Sequence, residues 1–134
     1  MILRRLTEPR VFYRAHTPKW ASQPLSGAGA AKMGGRLNRP GVHALYLAAS
    51  IETAIAEYRH LSSLLPPLTL ATYHVALDQV VDFRGGYKPG KWDPIWQDFG
   101  CNWRRLAFFE QTEPPTWAIA DQVMSAGARG VLFP

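Results

Sequence analysis

The order of hydrophobic patterns along this 134-residue chain predicts an α+β fold, with a mixed or antiparallel sheet and flanking helices. Extended patterns come both before and after the helical ones, without regular β–α–β alternation, which argues against a doubly wound sheet. Helical periodicity is confined to a segment starting at Ser50 and to the last third of the chain. Stretches rich in Pro and Gly separate these blocks and read as connections.

Taken in order, VFYRA (11–15) is a strand pattern, because Val, Phe and Tyr favour extended backbone. Residues 16–42 hold Pro, Gly, Ser and Ala with almost no period and read as a long loop. Within it, GAGAAKMGG matches neither phosphate-loop pattern, so it reads as permissive backbone. ALYLA (44–48) is a short apolar run of the buried-strand kind. Ser50 is placed as an N-cap with Glu52 in the first turn, opening a helix to about His60 or Leu61. Pro66-Pro67 ends that region, and TLATYHVAL (69–77) and QVVDF (79–83) read as two strands in close succession. Residues 84–100 form a Gly-, Pro- and Trp-rich excursion. Helical patterns return at 101–111 and 116–126, the second capped by Gly127. RGVLFP (129–134) begins a last strand.

A single domain suits this length, and a composition 47% hydrophobic is that of a globular chain. No apolar run approaches a membrane span, and the N-terminal MILRRLTEPR lacks the long apolar stretch of a secretory signal. Cys101 is the lone cysteine, so neither a disulfide framework nor a cysteine zinc site is expected. A cytoplasmic protein is the default expectation. The formal charge of +5 suits an anionic partner, but the arginines are spread out rather than run together. His16, His43, His60 and His74 show no metal-ligand spacing, and no metal is expected.

The chemistry-bearing stretch is GGRLNRPGVHALYLAASIETAIAEY (34–58). On the helix from Ser50, the residues Ile51, Ala54, Ile55, Tyr58 and Leu61 form one apolar face. Ser50, Thr53 and Glu57 line its border within an arc of roughly 60°. A solvated flank is the commoner fate of such a Glu. The loop before it raises the odds of function. An arginine fork grips phosphate in a bidentate way, and neighbouring glycines admit a ligand to the backbone. Arg36 is therefore the first choice for an anion contact, with Arg14 or Arg39 assisting. Tyr46 offers a ring for stacking, although plain core packing explains it as well. His16, Asn38 and Ser50 are further candidates around the pocket, each with an ordinary structural explanation as a loop histidine, a turn residue and an N-cap.

The quoted stretch, together with YRAHTPKWASQPLSGAGAAKM before it and PPTWAIADQVMSAGARGVLFP at the end, resembles the RES domain, named for an Arg, a Glu and a Ser. Arg36 matches the family arginine, Tyr46 the tyrosine ten residues on, and Glu57 the glutamate twenty-one residues after the arginine. The resemblance runs from Tyr13 to Pro134 and implies one RES-like domain over 1–134, stopping short of the family's C-terminal tail, where its serine lies. It further implies a bacterial toxin of a toxin–antitoxin pair, with a fold similar to ADP-ribosyltransferases and diphtheria-type toxins. Its substrate would be NAD, cleaved between nicotinamide and ribose, with ADP-ribose passing to water, phosphate or a target protein. A cognate antitoxin carrying a DNA-binding region would neutralise it. In that setting Arg36 faces the pyrophosphate, Glu57 the ribose and Tyr46 the nicotinamide. The rival expectations are a nucleic-acid-directed toxin, with exposed Trp92, Trp96 and Trp103 stacking on bases, and an inactive relative that only binds its antitoxin.

Overall fold

A computed structural model describes residues 1–18, 22–60 and 67–134. Its elements are β1 (Leu3–His16), α1 (Ala28–Met33), α2 (Ile51–His60), β2 (Thr69–Asp82), α3 (Pro115–Ser125) and β3 (Val131–Leu132). Two short helical turns, Pro94–Asp98 and Arg105–Phe109, lie between β2 and α3. The sheet order is β1-β2-β3, with β1 antiparallel and β3 parallel to β2. The architecture is thus α+β with a mixed sheet, as the pattern order predicts.

The two long strands differ from their sequence reading in an instructive way. Asp78 separates TLATYHVAL and QVVDF in the sequence reading, yet β2 runs through it and Gln79 without a break. The extra residue is absorbed as a shift in register: Arg4 faces Val80, whereas Leu6 faces Leu77. Both Asp78 and Gln79 are exposed, so the change of face costs the core nothing. ALYLA, expected to be a strand, meets β1 through one isolated bridge. There the Tyr13 and Ala48 amides each donate to the other's carbonyl at 2.8 Å. An apolar run specifies burial but not pairing, and these side chains are half-buried without a ladder.

The loop at 16–42 contains α1, six residues with none buried, closed by Gly34 at φ 84°. The helix expected at 101–111 is in fact centred on a π-helical turn, where the Glu110 amide donates to the Arg105 carbonyl at 3.0 Å. In α2, Ala54 and Tyr58 are buried, while Ile51 on the expected apolar face is exposed. Leu61 lies outside the described residues. α3 starts at Pro115, where a proline's missing amide costs nothing, and ends before Gly127 at φ 76°. That glycine supplies the positive φ a helix stop requires.

The core sits where β2 leaves the sheet. Val81, Phe83, Trp92, Trp96, Phe99, Ile119 and Val123 form one buried cluster. Phe83 is its hub, with ring centroids 4.8 Å from Trp92, 4.9 Å from Trp96 and 5.0 Å from Phe99. Such aromatic pairs each add about 0.5–1.5 kcal/mol beyond the area they bury. The Trp96 indole N–H donates to Gln122 Oε1 at 3.0 Å, which pins this cluster to α3.

Asp82 anchors the same end of β2. Its buried carboxylate accepts from Arg84 Nε and Nη2, both at 2.9 Å, and from Arg4 Nε at 2.6 Å. The Arg84 hydrogen bonds, outweighing burial, hold this carboxyl well below the usual carboxylate range. A depressed carboxylate stabilises the fold above its unfolded pKa of about 4, and that contribution fades as the pH falls through the lower folded value. Asp82→Asn will therefore destabilise the protein at neutral pH by about 1–3 kcal/mol. In urea denaturation the gap to wild type will narrow below about pH 4. A gap of constant size down to pH 3 would contradict this role.

Candidate functional site

A cleft of about 490 Å³ opens beside the aromatic core. Its charged lining residues are Arg36 and Glu57, from the glycine loop and from α2. Phe83, Tyr87, Trp96, Phe99 and Phe133 are its aromatic lining residues, and a Cβ added at Gly86 or Gly100 would meet nothing within 4 Å. A separate hollow of about 350 Å³, lined by Arg5, Asp78, Gln79, Gly127 and Arg129, has no aromatic wall.

Arg36 reaches the cleft because the loop before it is tightly built. The Gly35 amide donates to the Asn38 carbonyl at 2.9 Å, closing a four-residue turn. A Cβ on Gly35 would sit 2.7 Å from both Asn38 Oδ1 and the Tyr46 hydroxyl, so only glycine fits. This glycine makes room for protein side chains rather than for a ligand, contrary to the sequence reading. Half-buried Arg36 then donates from Nη1 to the carbonyls of Phe99, at 2.7 Å, and Cys101, at 2.9 Å. Among the described residues its Nε and Nη2 make no hydrogen bond. The guanidinium is thus gripped at one corner, with the rest of the fork unspent.

Glu57 is exposed on α2, one position before buried Tyr58. Ser50 sets the start of that helix: its hydroxyl accepts the Thr53 amide at 3.1 Å and donates to Thr53 Oγ1 at 2.9 Å. The N-cap reading of Ser50 is the one the geometry supports, and its oxygen is occupied by the helix.

The remaining candidates are placed differently from expectation. Tyr46 does not line the cleft. Its hydroxyl accepts the Leu37 amide at 2.9 Å and donates to Asn38 Oδ1 at 2.6 Å, so both its functions are spent beneath the loop. Burial pushes the phenol up to about 12, which keeps it a neutral donor at ordinary pH. Asn38 is 1% exposed, and its Nδ2 donates to the carbonyls of Ala30, Val42 and Arg39. Arg39 pairs with Glu113 and Asp121, each at 2.6 Å, and lies over the Trp117 ring. Those carboxylates, Glu113 foremost, raise its affinity for its proton further. It is a strut between loop and α3, and in this structure its fork is not free for phosphate. Arg14 is half-buried on β1 opposite Ala71 and is absent from the cleft lining. His16 is buried at the end of β1, with Nδ1 at 3.0 Å from the Thr17 carbonyl.

The structure also moves the tryptophans. Trp92, Trp96 and Trp103 are 5%, 1% and 8% exposed, so none offers a face to a nucleic-acid base. The 84–100 excursion forms part of the cleft wall, and Tyr87 is the residue the sequence reading passed over. The spacing of Trp92, Trp96 and Phe99 already held the signal, since steps of four and three put residues on one side of a helical turn.

Tyr46→Phe will destabilise the protein by about 1–3 kcal/mol, because the Leu37 amide and Asn38 Oδ1 lose a shared partner. Equilibrium denaturation checks this, and unchanged stability would show that the hydroxyl bridge carries no load. No curated protein and no solved structure matches the chain. The family model described as the RES domain matches residues 11–134. A match over almost the whole chain, including the loop that carries Arg36 and the helix that carries Glu57, means that this protein belongs to the RES domain family.

Proposed function

We propose that the protein is a toxin that consumes NAD by cleaving the bond between nicotinamide and ribose. The observation carrying this reading is that Arg36 and Glu57, twenty-one positions apart in sequence, line one cleft with aromatic walls. A dinucleotide presents an anionic pyrophosphate, a ribose and flat rings, and the cleft holds a chemical complement to each.

In this reading the free donors of the Arg36 fork bind the pyrophosphate. The carbon–nitrogen bond to nicotinamide breaks with both electrons going to the ring nitrogen. That neutralises the pyridinium and leaves positive charge on the ribose. Glu57 lies against this sugar and stabilises its oxocarbenium character, as carboxylates do in glycoside cleavage. A nucleophile then bonds to the anomeric carbon, giving ADP-ribose attached to water, phosphate or a target protein. The proton released on attack passes to Glu57 or to solvent.

The stacking role assigned to Tyr46 passes to Tyr87. Trp96 and Phe99 stack on one another, and Phe83 packs among both. Tyr87 lines the cleft half-buried, follows Gly86 at φ 74° and makes no aromatic pair among the described residues. Its ring is available to cover nicotinamide. The reading also carries an ADP-ribosyltransferase-like arrangement of the α+β fold, action in the bacterial cytoplasm and an antitoxin partner with a DNA-binding region. Among the described residues no helix is long and apolar enough to cross a membrane. Burial of the tryptophans removes the stacking surface on which the nucleic-acid reading rested.

Chromatography of nicotinamide released from NAD tests the reading. Glu57→Gln will lower turnover by at least about 100-fold with little change in NAD affinity, since the charge acts in the transition state. Arg36→Lys will weaken binding, because a point charge cannot replace the fork. Tyr87→Ala will weaken NAD about tenfold while sparing ADP-ribose, whereas Tyr87→Phe keeps the ring and the affinity. NAD left intact by the wild-type protein while RNA is cut would contradict the reading.

A further inference from the structure

Among the described residues, the cleft lining holds one primary amide beside its charges and rings, that of Gln97. Gln97 belongs to the helical turn Pro94–Asp98 and sits between the buried rings of Trp96 and Phe99. The backbone on both sides of it is fixed. The Asp93 carboxylate accepts the Ile95 amide at 3.0 Å, and the Asp93 carbonyl accepts the Trp96 amide at 2.9 Å. The Phe99 carbonyl accepts Arg36 Nη1, and the Trp96 indole N–H is spent on Gln122. Gln97 itself is exposed, and its amide makes no hydrogen bond among the described residues. Only the rotamers of this one side chain remain to be ordered when a ligand arrives.

With NAD in the cleft, one group of the leaving ring still lacks a partner. Nicotinamide carries a carboxamide at the edge of its ring, with an acceptor oxygen and two N–H donors. Tyr87 covers the face of that ring and cannot satisfy its edge. Arg36 is committed to the pyrophosphate and Glu57 to the ribose. A glutamine amide has the matching pair of functions. Its carbonyl accepts a carboxamide N–H while its own N–H donates to the carboxamide oxygen. Gln97 also stands on the correct wall, because Tyr87 packs against the cluster to which Trp96 and Phe99 belong.

We infer, on the NAD-cleaving reading of this cleft, that Gln97 selects a dinucleotide whose pyridinium bears a carboxamide, pairing with it amide to amide at the edge of the ring. The contact forms on binding and lasts until the ring departs, so it acts on substrate affinity rather than on bond cleavage. An adenine edge also offers a donor and an acceptor to glutamine. The wall that Gln97 shares with Tyr87 assigns it to the nicotinamide end instead.

Steady-state kinetics of the full chain with NAD and with its acetylpyridine analogue tests this selection. The analogue carries a methyl in place of the amide nitrogen, so it keeps the ring and the carbonyl but loses the N–H that Gln97 accepts. The wild-type KM for NAD will lie at least about fivefold below that for the analogue. Gln97→Leu will bring the two KM values together and leave kcat for NAD little changed. Gln97→Glu keeps an acceptor at this position and will retain the preference, as will Tyr87→Phe. Equal KM values in the wild-type protein, or a preference that survives Gln97→Leu, overturns the inference while NAD cleavage stands. A Gln97→Leu effect confined to discrimination between NAD and its hypoxanthine analogue would put the side chain at the adenine and overturns it as well. No release of nicotinamide from NAD by the wild-type protein is the separate result that removes the NAD-cleaving reading and this selection together.

Discussion

The cleft exists because one arginine corner ties two distant segments together. Arg36 Nη1 spans 63 residues to the Phe99 carbonyl and 65 to the Cys101 carbonyl. Beside it, Leu37 of the same loop packs against the aromatic cluster, so the glycine loop and the aromatic turn share one wall. A guanidinium thus stands on the rim of a hollow whose wall is Trp96 and Phe99. A charged donor to a carbonyl is a strong hydrogen bond. The same side chain is therefore asked to build the site and to serve it, through different nitrogens.

The loop's other polar residues make this double duty workable. Asn38 satisfies the carbonyls of Ala30 and Val42, Tyr46 satisfies the Leu37 amide, and Arg39 reaches to Glu113 and Asp121. The Trp117 indole N–H adds a bond to the Gly35 carbonyl at 2.7 Å. Each fixes a rotamer or a turn before any ligand arrives. Positions held this way cost no ordering at the moment of binding, which is the physical content of a preorganised site. In the loop, then, Asn38, Tyr46 and Arg39 provide the frame for Arg36. Glu57 comes from a helix whose own frame is Ser50, Ala54 and Tyr58.

Legibility in the sequence followed the range of the interactions involved. The α2 boundary at Ser50 and the stop at Gly127 were readable, because capping is a matter of neighbouring residues. The pairing of Arg36 with Glu57 was also proposed from the sequence, through the RES-like order of loop, strand and helix. Arg39 and Tyr46 were misplaced for a common reason. An arginine or a tyrosine states what it can bond but not which partner reaches it first, and Asp121 lies 82 residues from Arg39. The continuity of β2 through Asp78 and Gln79 was hidden likewise, since only the register against β1 reveals the shift. The rival expectation needs Trp92 and Trp96 exposed, whereas their burial depends on α3 supplying Ile119, Val123 and Gln122.

The central claim is that the arginine fork and the helix carboxylate address two ends of one ligand. A crystal structure with a non-cleavable NAD analogue measures this directly. The account predicts the pyrophosphate on Arg36 Nε and Nη2, the nicotinamide-side ribose against Glu57, and the Phe99 and Cys101 carbonyls still bound by Nη1. An analogue seated at Arg5 and Arg129, or one that reaches Arg36 while its riboses stay clear of Glu57, would contradict it.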